Sequence, residues 1–241
     1  MKKLAQILRK QEFFPGFVGL FTNPTYFARK GLLENIRYFS PQIKGRLLDV
    51  GCGTKPYKLL FKDAEYVGLE IDTPQNRANK DADLFYNGNE FPCKDSEFDS
   101  VITSQVLEHV FNPKEFLKEI HRVLKNNGTL LLTVPFLWEE HEQPFDYGRY
   151  SSFGIAHLIK ESGFEIIEQR KSVTGWKVIS QITNSYIRRK FRVKNRKLRL
   201  LINAVLFGFV NITGVLLAYI LPDHRDLYLD NIIFAKKTNA T

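Results

Sequence analysis

From Gly45 onward, short apolar runs bounded by turn residues alternate with segments whose apolar residues recur at helical spacing. Runs at 46–50 (RLLDV), 65–70 (EYVGLE), 82–86 (ADLFY), 99–104 (DSVITS), 129–134 (TLLLTV) and 164–169 (FEIIEQ) predict strands. LYLDNIIFA at 227–235 predicts a last one. Between the fourth and fifth runs lies a well-marked helix. Asn112 stands at its cap, Pro113 at its first position and Glu115 in a capping-box-like place. Phe116, Leu117, Ile120, Val123 and Leu124 form one stripe, His121 falls on the polar side facing solvent, and Asn127-Gly128 ends the helix. A second helix starts near Ser152 and stops at Gly163. Repeated strand–helix–strand units of this kind predict a doubly wound α/β fold, its sheet parallel and covered by helices on both faces.

The flanks have a different texture. Residues 1–44 read as a helical, aromatic cap, with Asn23-Pro24 opening a helix to about Phe39. Such a cap is a lid, a second membrane contact or a packing helix. The core then covers 45–170, a basic and apolar helical insertion 171–225, and the final strand and tail 226–241.

Charge sharpens the picture of the insertion. The chain carries a net charge of +9, yet between Glu168 and Asp223 there is no acidic residue and there are eleven basic ones. Eight of them fall between Arg188 and Arg199: Arg188, Arg189, Lys190, Arg192, Lys194, Arg196, Lys197 and Arg199. Leu200 to Leu221 follow without a charge, about 33 Å as a helix and enough for a hydrocarbon core. Nucleic-acid binding, a buried core helix and a membrane element all remain open. A basic cluster leading directly into an apolar run points to an anionic lipid surface. Asn203, Asn211, Thr213, Gly208 and Gly214 weaken a simple spanning helix.

Composition excludes two classes. Cys52 and Cys93 cannot build a disulfide framework, and neither has ligand-like spacing to a histidine, so a secreted disulfide scaffold and a structural zinc module are ruled out and no metal ligands are assigned. Lys2 and Lys3 are followed by Arg9, Lys10 and Glu12 rather than by an apolar core, so no signal peptide is read and a cytoplasmic protein is expected.

Chemistry enters where the first strand ends, at Asp49-Val50-Gly51-Cys52-Gly53-Thr54. An acid followed by closely spaced glycines makes a tight turn that backbone can present to a ligand. Glu70, at the end of the second strand and seventeen residues beyond Gly53, can accept both hydroxyls of a ribose. The dinucleotide fingerprint requires a third glycine where this chain has Pro56, which leaves adenosine without a pyrophosphate.

Four blocks, in order, resemble the class I S-adenosylmethionine-dependent methyltransferases, in particular the large family similar to the biotin- and ubiquinone-pathway enzymes. They are LLDVGCGTKPY (47–57), YVGLEID (66–72), NEFPCKDSEFDSVITSQVLEHV (89–110) and FLKEIHRVLKNNGTLLLTVPF (116–136). With the run Glu140 to Tyr150 (EHEQPFDYGRY), they look like a subgroup found in glycan and surface-polysaccharide pathways. The resemblance implies a mostly parallel, seven-stranded Rossmann-like sheet and S-adenosyl-L-methionine as cofactor. It also implies that Asp49 orients the glycine turn and reaches the cofactor's amino group, that Gly51 and Gly53 lie against its methionine and ribose parts, and that Glu70 takes the ribose hydroxyls. Asn87, with Gly88, falls where the family often has an acid for the adenine amino group, although Asn87-Gly88-Asn89 also reads as a plain polar turn. Gln105 would face the methionine end. Lys55 replaces a common glycine and reaches either the cofactor carboxylate or solvent. In such enzymes the pair Glu108-His109 more often fixes a loop than performs chemistry.

Methyl transfer to a hydroxyl requires alignment and removal of a proton. The segment Phe136 to Tyr150 follows the fifth strand, and His141 is the candidate base, since imidazole can be neutral near pH 7, with Glu140 and Asp146 as the other candidates. Arg149 pairs with Asp146 or clamps an acidic substrate. In this fold the last strand inserts beside 164–169, so both lie on one side of any bilayer. Residues 200–221 are therefore expected in the interface plane or as a re-entrant element on the cytoplasmic face. The function expected is O-methylation of a glycan or lipid-linked intermediate at that surface. An RNA methyltransferase using the basic cluster and a catalytically idle binding module are the alternatives.

Overall fold

The structure is a computed structural model describing residues 10–190 and 195–238. Lys2, Lys3, Arg9, Arg192 and Lys194 lie outside the described residues. The elements run, in chain order, α1 (Phe17–Thr22), α2 (Tyr26–Phe39), β1 (Gly45–Val50), β2 (Ala64–Ile71), α3 (Pro74–Asn79), β3 (Leu84–Tyr86), β4 (Phe98–Ser104), α4 (Pro113–Val123), β5 (Leu124–Pro135), α5 (Ser152–Glu161), β6 (Phe164–Thr174), α6 (Trp176–Lys190), α7 (Arg196–Ile220) and β7 (Tyr228–Lys237). They divide into two units, Ile36–Arg170 with Asp230–Thr241, and Met1–Asn35 with Lys171–Leu229.

The first unit is organised by a seven-stranded sheet in the order β3-β2-β1-β4-β5-β7-β6. β1 pairs in parallel with β2 and β4, and β4 with β5, while β7 enters antiparallel to β5 with Leu131 opposite Phe234. Strands covered on both faces read as continuous apolar runs. Accordingly Leu47, Leu48, Val50, Val101, Leu130, Leu131 and Leu132 have no solvent exposure. The stripe on α4 behaves as its spacing requires, with Phe116, Leu117, Ile120 and Val123 all buried.

Four local expectations are corrected. Asn112 occupies the cap position of α4, but its side chain makes no capping hydrogen bond at φ −112°, ψ 76°. The helix ends at Val123 and not at Asn127-Gly128. Leu124 already pairs with Phe98, and the register shift before Ser100 lets the polar residues 125–128 bulge while remaining within β5. His121 is half-buried, its ring edge-on to Phe164 at 5.3 Å, because the chain reverses at Gly163 beside it. At the other end of the chain, α2 begins at Tyr26 while Asn23 Oδ1 accepts the Thr25 N–H at 2.8 Å, so Pro24 precedes the helix.

In the second unit α7 packs one face inward. A Cβ on Gly208 would lie 2.7 Å from Phe21, and one on Gly214 would meet Ser180, so only glycine permits these approaches. Between them the fully buried Asn211 accepts the Asn184 amide at 2.8 Å and donates to the Leu20 carbonyl at 2.8 Å. The opposite face is apolar and not covered by the described residues, with Leu201, Val205, Phe209, Leu216 and Tyr219 between 55% and 92% exposed. By length and composition Leu201–Ile220 could cross a membrane, at a mean hydropathy of 2.1.

Candidate active site at the carboxyl edge of the sheet

The β1–β2 crevice is built by backbone and carboxylates together. Gly51 and Gly53 have φ of +75° and +55°, and a Cβ on Gly51 would fall 2.3 Å from Val106, so the turn after Val50 requires glycine. The Gly51 N–H is donated to the Leu69 carbonyl at 2.8 Å, which folds the turn back onto β2. Glu70 Oε2 accepts the Gly53 N–H at 3.0 Å and Oε1 accepts the Ile71 N–H at 3.2 Å. Asp49 is buried and takes the Tyr66 hydroxyl. Burial pushes its carboxyl from 3.8 up to about 7, Tyr66 and Lys55 opposing the rise and Glu70 adding to it. Burial likewise raises the Cys52 thiol to about 12, so it is inert at neutral pH.

Lys55 does not point to solvent. It is buried at a positive φ of 51°, and its Nζ lies 2.8 Å from Asp83 Oδ2, which also accepts the Gly68 N–H at 2.6 Å. Burial works to raise the Asp83 carboxyl, but the Gly68 N–H and Lys55 hold it below the usual range. The pair is a strut under the glycine turn, and neither Asp83 nor Tyr66 was singled out in the sequence, because no local spacing links them to the turn. Asn87 is exposed and accepts the Asn89 N–H at 3.1 Å, the polar-turn arrangement, with Gly88 beside it at φ +92°. Gln105, at a strained φ of 59°, sends its side-chain amide to Thr133 Oγ1 at 3.2 Å.

The loop after β5 gathers most of the residues named for catalysis. Arg149 grips Asp146 with both terminal nitrogens, at 2.6 and 2.7 Å, and that pairing holds the Asp146 carboxyl down near 2. Asp146 Oδ2 also accepts the His141 N–H at 2.9 Å and stands 3.3 Å from His141 Nδ1. Burial and the neighbouring His109 push the His141 imidazole below its ordinary value against the pull of Asp146. Glu140 points outward and accepts from Gln143 at 3.0 Å. His109 sits in the 3-10 turn Leu107–His109 after β4 and ties the loop down through Nδ1 to the Phe145 carbonyl at 2.7 Å, its ring edge-on to His141 at 4.7 Å. Glu108 is wholly buried, with its carboxyl pushed up to about 8 by burial.

S-adenosylmethionine fits what these residues offer. A Cβ on Gly53 would meet nothing nearer than Lys80 Nζ at 3.8 Å, so the turn faces open space. Two carboxylates, Asp49 and Glu70, flank it without a Lys or Arg ion partner among the described residues. That leaves carboxyl acceptors at a turn open to a ligand, as a cationic ligand with two ribose hydroxyls requires.

Comparison with known proteins agrees. Residues 25–169 match the family described as a methyltransferase domain. An uncharacterized protein of Methanocaldococcus jannaschii is 28% identical over 168 residues, 60% of this chain and 75% of that protein. A probable S-adenosylmethionine-dependent methyltransferase of Mycolicibacterium smegmatis is 27% identical over 133 residues, 50% of this chain and 52% of that protein. Among solved structures, the phosphoethanolamine N-methyltransferase 2 of Haemonchus contortus in complex with S-adenosyl-L-methionine has a TM-score of 0.54 at 17% identity, covering 92% of this chain and 56% of that one, a likeness of fold. The chain spans about half the length of the last two proteins. Family match, glycine turn and flanking carboxylates converge, and the chain belongs to the methyltransferase-domain family with S-adenosylmethionine as its cofactor.

Proposed function

We propose that the chain methylates a hydroxyl of a glycan or lipid-linked intermediate while bound to the cytoplasmic face of a membrane. The observation that carries the oxygen acceptor is the His141–Asp146–Arg149 arrangement. His141 is neutral near pH 7, and with Nδ1 facing Asp146 its Nε2 is left to take a proton. Bound S-adenosylmethionine supplies a methyl group on a positively charged sulfonium, and transfer then depends on in-line alignment. Glu70 and the Gly53 turn hold the donor's ribose. His141 accepts the hydroxyl proton, Asp146 steadies the resulting imidazolium, and Arg149 keeps Asp146 in place. Glu140 and Asp146 suit the role of base less well, one turned to solvent and the other committed to Arg149.

A lipid surface is supported by the uncovered apolar face of α7, entered directly from the basic cluster 188–199. Each such basic residue near an anionic surface contributes about 1 kcal/mol. The inward Asn211, bonded to Asn184 and Leu20, favours a helix lying in the interface over one that leaves the protein to cross.

The test is transfer of a radiolabelled methyl group into a membrane lipid extract, with RNA as the parallel acceptor. Label is expected in the lipid-soluble fraction, and His141→Ala should lower it at least about 100-fold while S-adenosylmethionine affinity holds. Label on RNA, with steep salt dependence, would replace the lipid acceptor. Bound cofactor with no turnover on either would favour an idle module.

A further inference from the structure

Glu108 is a carboxylate buried among the described residues, at 0% exposure, with both oxygens unpaired. A buried polar atom left unpaired is expensive, and native structures retain few of them. Two imidazoles stand near it, and the Arg149 charge also acts on it. His109 Nε2 lies 3.9 Å from Glu108 Oε1, and one donor atom from each of Glu108, His109 and His141 falls within 4.8 Å of the other two.

We propose that Glu108, His109 and His141 bind one divalent transition-metal ion at the carboxyl edge of β4 and β5. The donor set is two imidazoles and a carboxylate, which suits Zn²⁺ and its first-row neighbours better than Mg²⁺. The outer contacts are those a ligating histidine needs. His109 Nδ1 is engaged by the Phe145 carbonyl at 2.7 Å, and His141 Nδ1 faces both the Glu139 carbonyl and Asp146 Oδ2 at 3.3 Å. Each ring thereby keeps Nε2 for the ion, and Arg149 locks the carboxylate that orients His141. Zinc-to-ligand bonds of about 2.0–2.2 Å place tetrahedral donors roughly 3.4 Å apart, so binding draws the three inward by about an ångström. Three protein ligands leave a position open, the mark of a catalytic and not a structural site. An acceptor hydroxyl entering that position would lose its proton more readily. This site goes beyond the methyl-transfer reading, for with the ion present His141 is a ligand and the ion takes over activation of the acceptor.

The experiment is calorimetric titration of the chelator-stripped full chain with ZnCl₂, and with CoCl₂ followed by its visible absorption. One ion per chain is expected, with a dissociation constant at or below about 1 μM. Glu108→Gln, His109→Ala and His141→Ala should each weaken it at least about 100-fold. His157→Ala, on the exposed face of α5, should leave it unchanged. Each variant is also titrated with S-adenosylhomocysteine, so that a lost fold is told apart from a lost ligand. Binding weaker than about 100 μM, or equal in wild type and variants, would overturn the proposal. Because the readout is metal binding, its failure leaves methyl transfer standing, and failure of methyl transfer leaves the ion site standing.

Discussion

Asp49→Asn separates the stability of the crevice from its function. Asp49 is 8% exposed, and burial lifts its carboxyl from 3.8 to about 7. Between about pH 4 and pH 7 the folded chain therefore holds a proton that the unfolded chain has released. This group makes stability fall as pH rises through that window, and above pH 7 it costs the fold on the order of 4 kcal/mol at most. Asparagine removes the charge and keeps an oxygen for the Tyr66 hydroxyl. Allowing for relaxation, we expect Asp49→Asn to gain about 2 kcal/mol at pH 8 and nothing at pH 4, a Tm rise of roughly 4–8 °C at the higher pH. Cofactor binding should move the opposite way. A cationic ligand favours ionised Asp49, so wild-type affinity should fall roughly 25-fold between pH 7.5 and pH 5.5, and the variant should bind weakly at both. Thermal melts at both pH values, with calorimetry using S-adenosylmethionine and S-adenosylhomocysteine, read these outcomes. A variant no more stable than wild type at pH 8, with the pH dependence of binding intact, would refute the reasoning.

Other substitutions probe the surrounding frame. Glu70→Ala should weaken S-adenosylhomocysteine binding about 10- to 100-fold, the value of a charged hydrogen-bond acceptor, and an unchanged affinity by calorimetry would place the ribose elsewhere. Gly51→Ala forces a Cβ at φ +75° to within 2.3 Å of Val106, so denaturant melts should show a loss of about 2–4 kcal/mol; an unchanged midpoint would mean the turn yields freely. Lys55→Met should cost about 1–3 kcal/mol at pH 7. The lowered Asp83 carboxyl contributes stability above its unfolded value and loses it as pH falls, so the deficit should shrink as the medium is acidified, and a deficit independent of pH would point to packing instead.

Much of the sheet was legible because its signals are local. The apolar runs, the Pro113 start and the glycine turn each depend on residues a few positions apart, and the strands formed where the runs lie. The misreadings arose where tertiary contacts override local ones. Lys125 to Gly128 read as a helix end, yet pairing of Leu124 with Phe98 draws the segment into β5. Lys55 and Asp83 are far apart in the chain with no periodic relation, so their pairing is visible only in three dimensions. The 136–150 loop showed its residue types but not its wiring. That Arg149 grips Asp146 was one of two alternatives read for it. That the pair also orients His141, which faces His109 beside a buried Glu108, was written nowhere in the spacing.

The distribution of charge ties the crevice to the Glu108 cluster. The chain has 35 lysines and arginines, and among the described residues none forms a salt bridge with Asp49, Glu70 or Glu108 at the carboxyl edge of the sheet. Asp146, at the same edge, has its arginine and is held near 2, while Asp49 and Glu108 are pushed to about 7 and 8. Buried carboxyls without a cation destabilise a fold, and their persistence side by side with a well-paired one is the pattern of a site awaiting positive charge. For Asp49 the charge expected is the cofactor's. Glu108 has two imidazoles within reach of its unpaired, buried carboxylate oxygens, a surrounding that a metal ion would relieve.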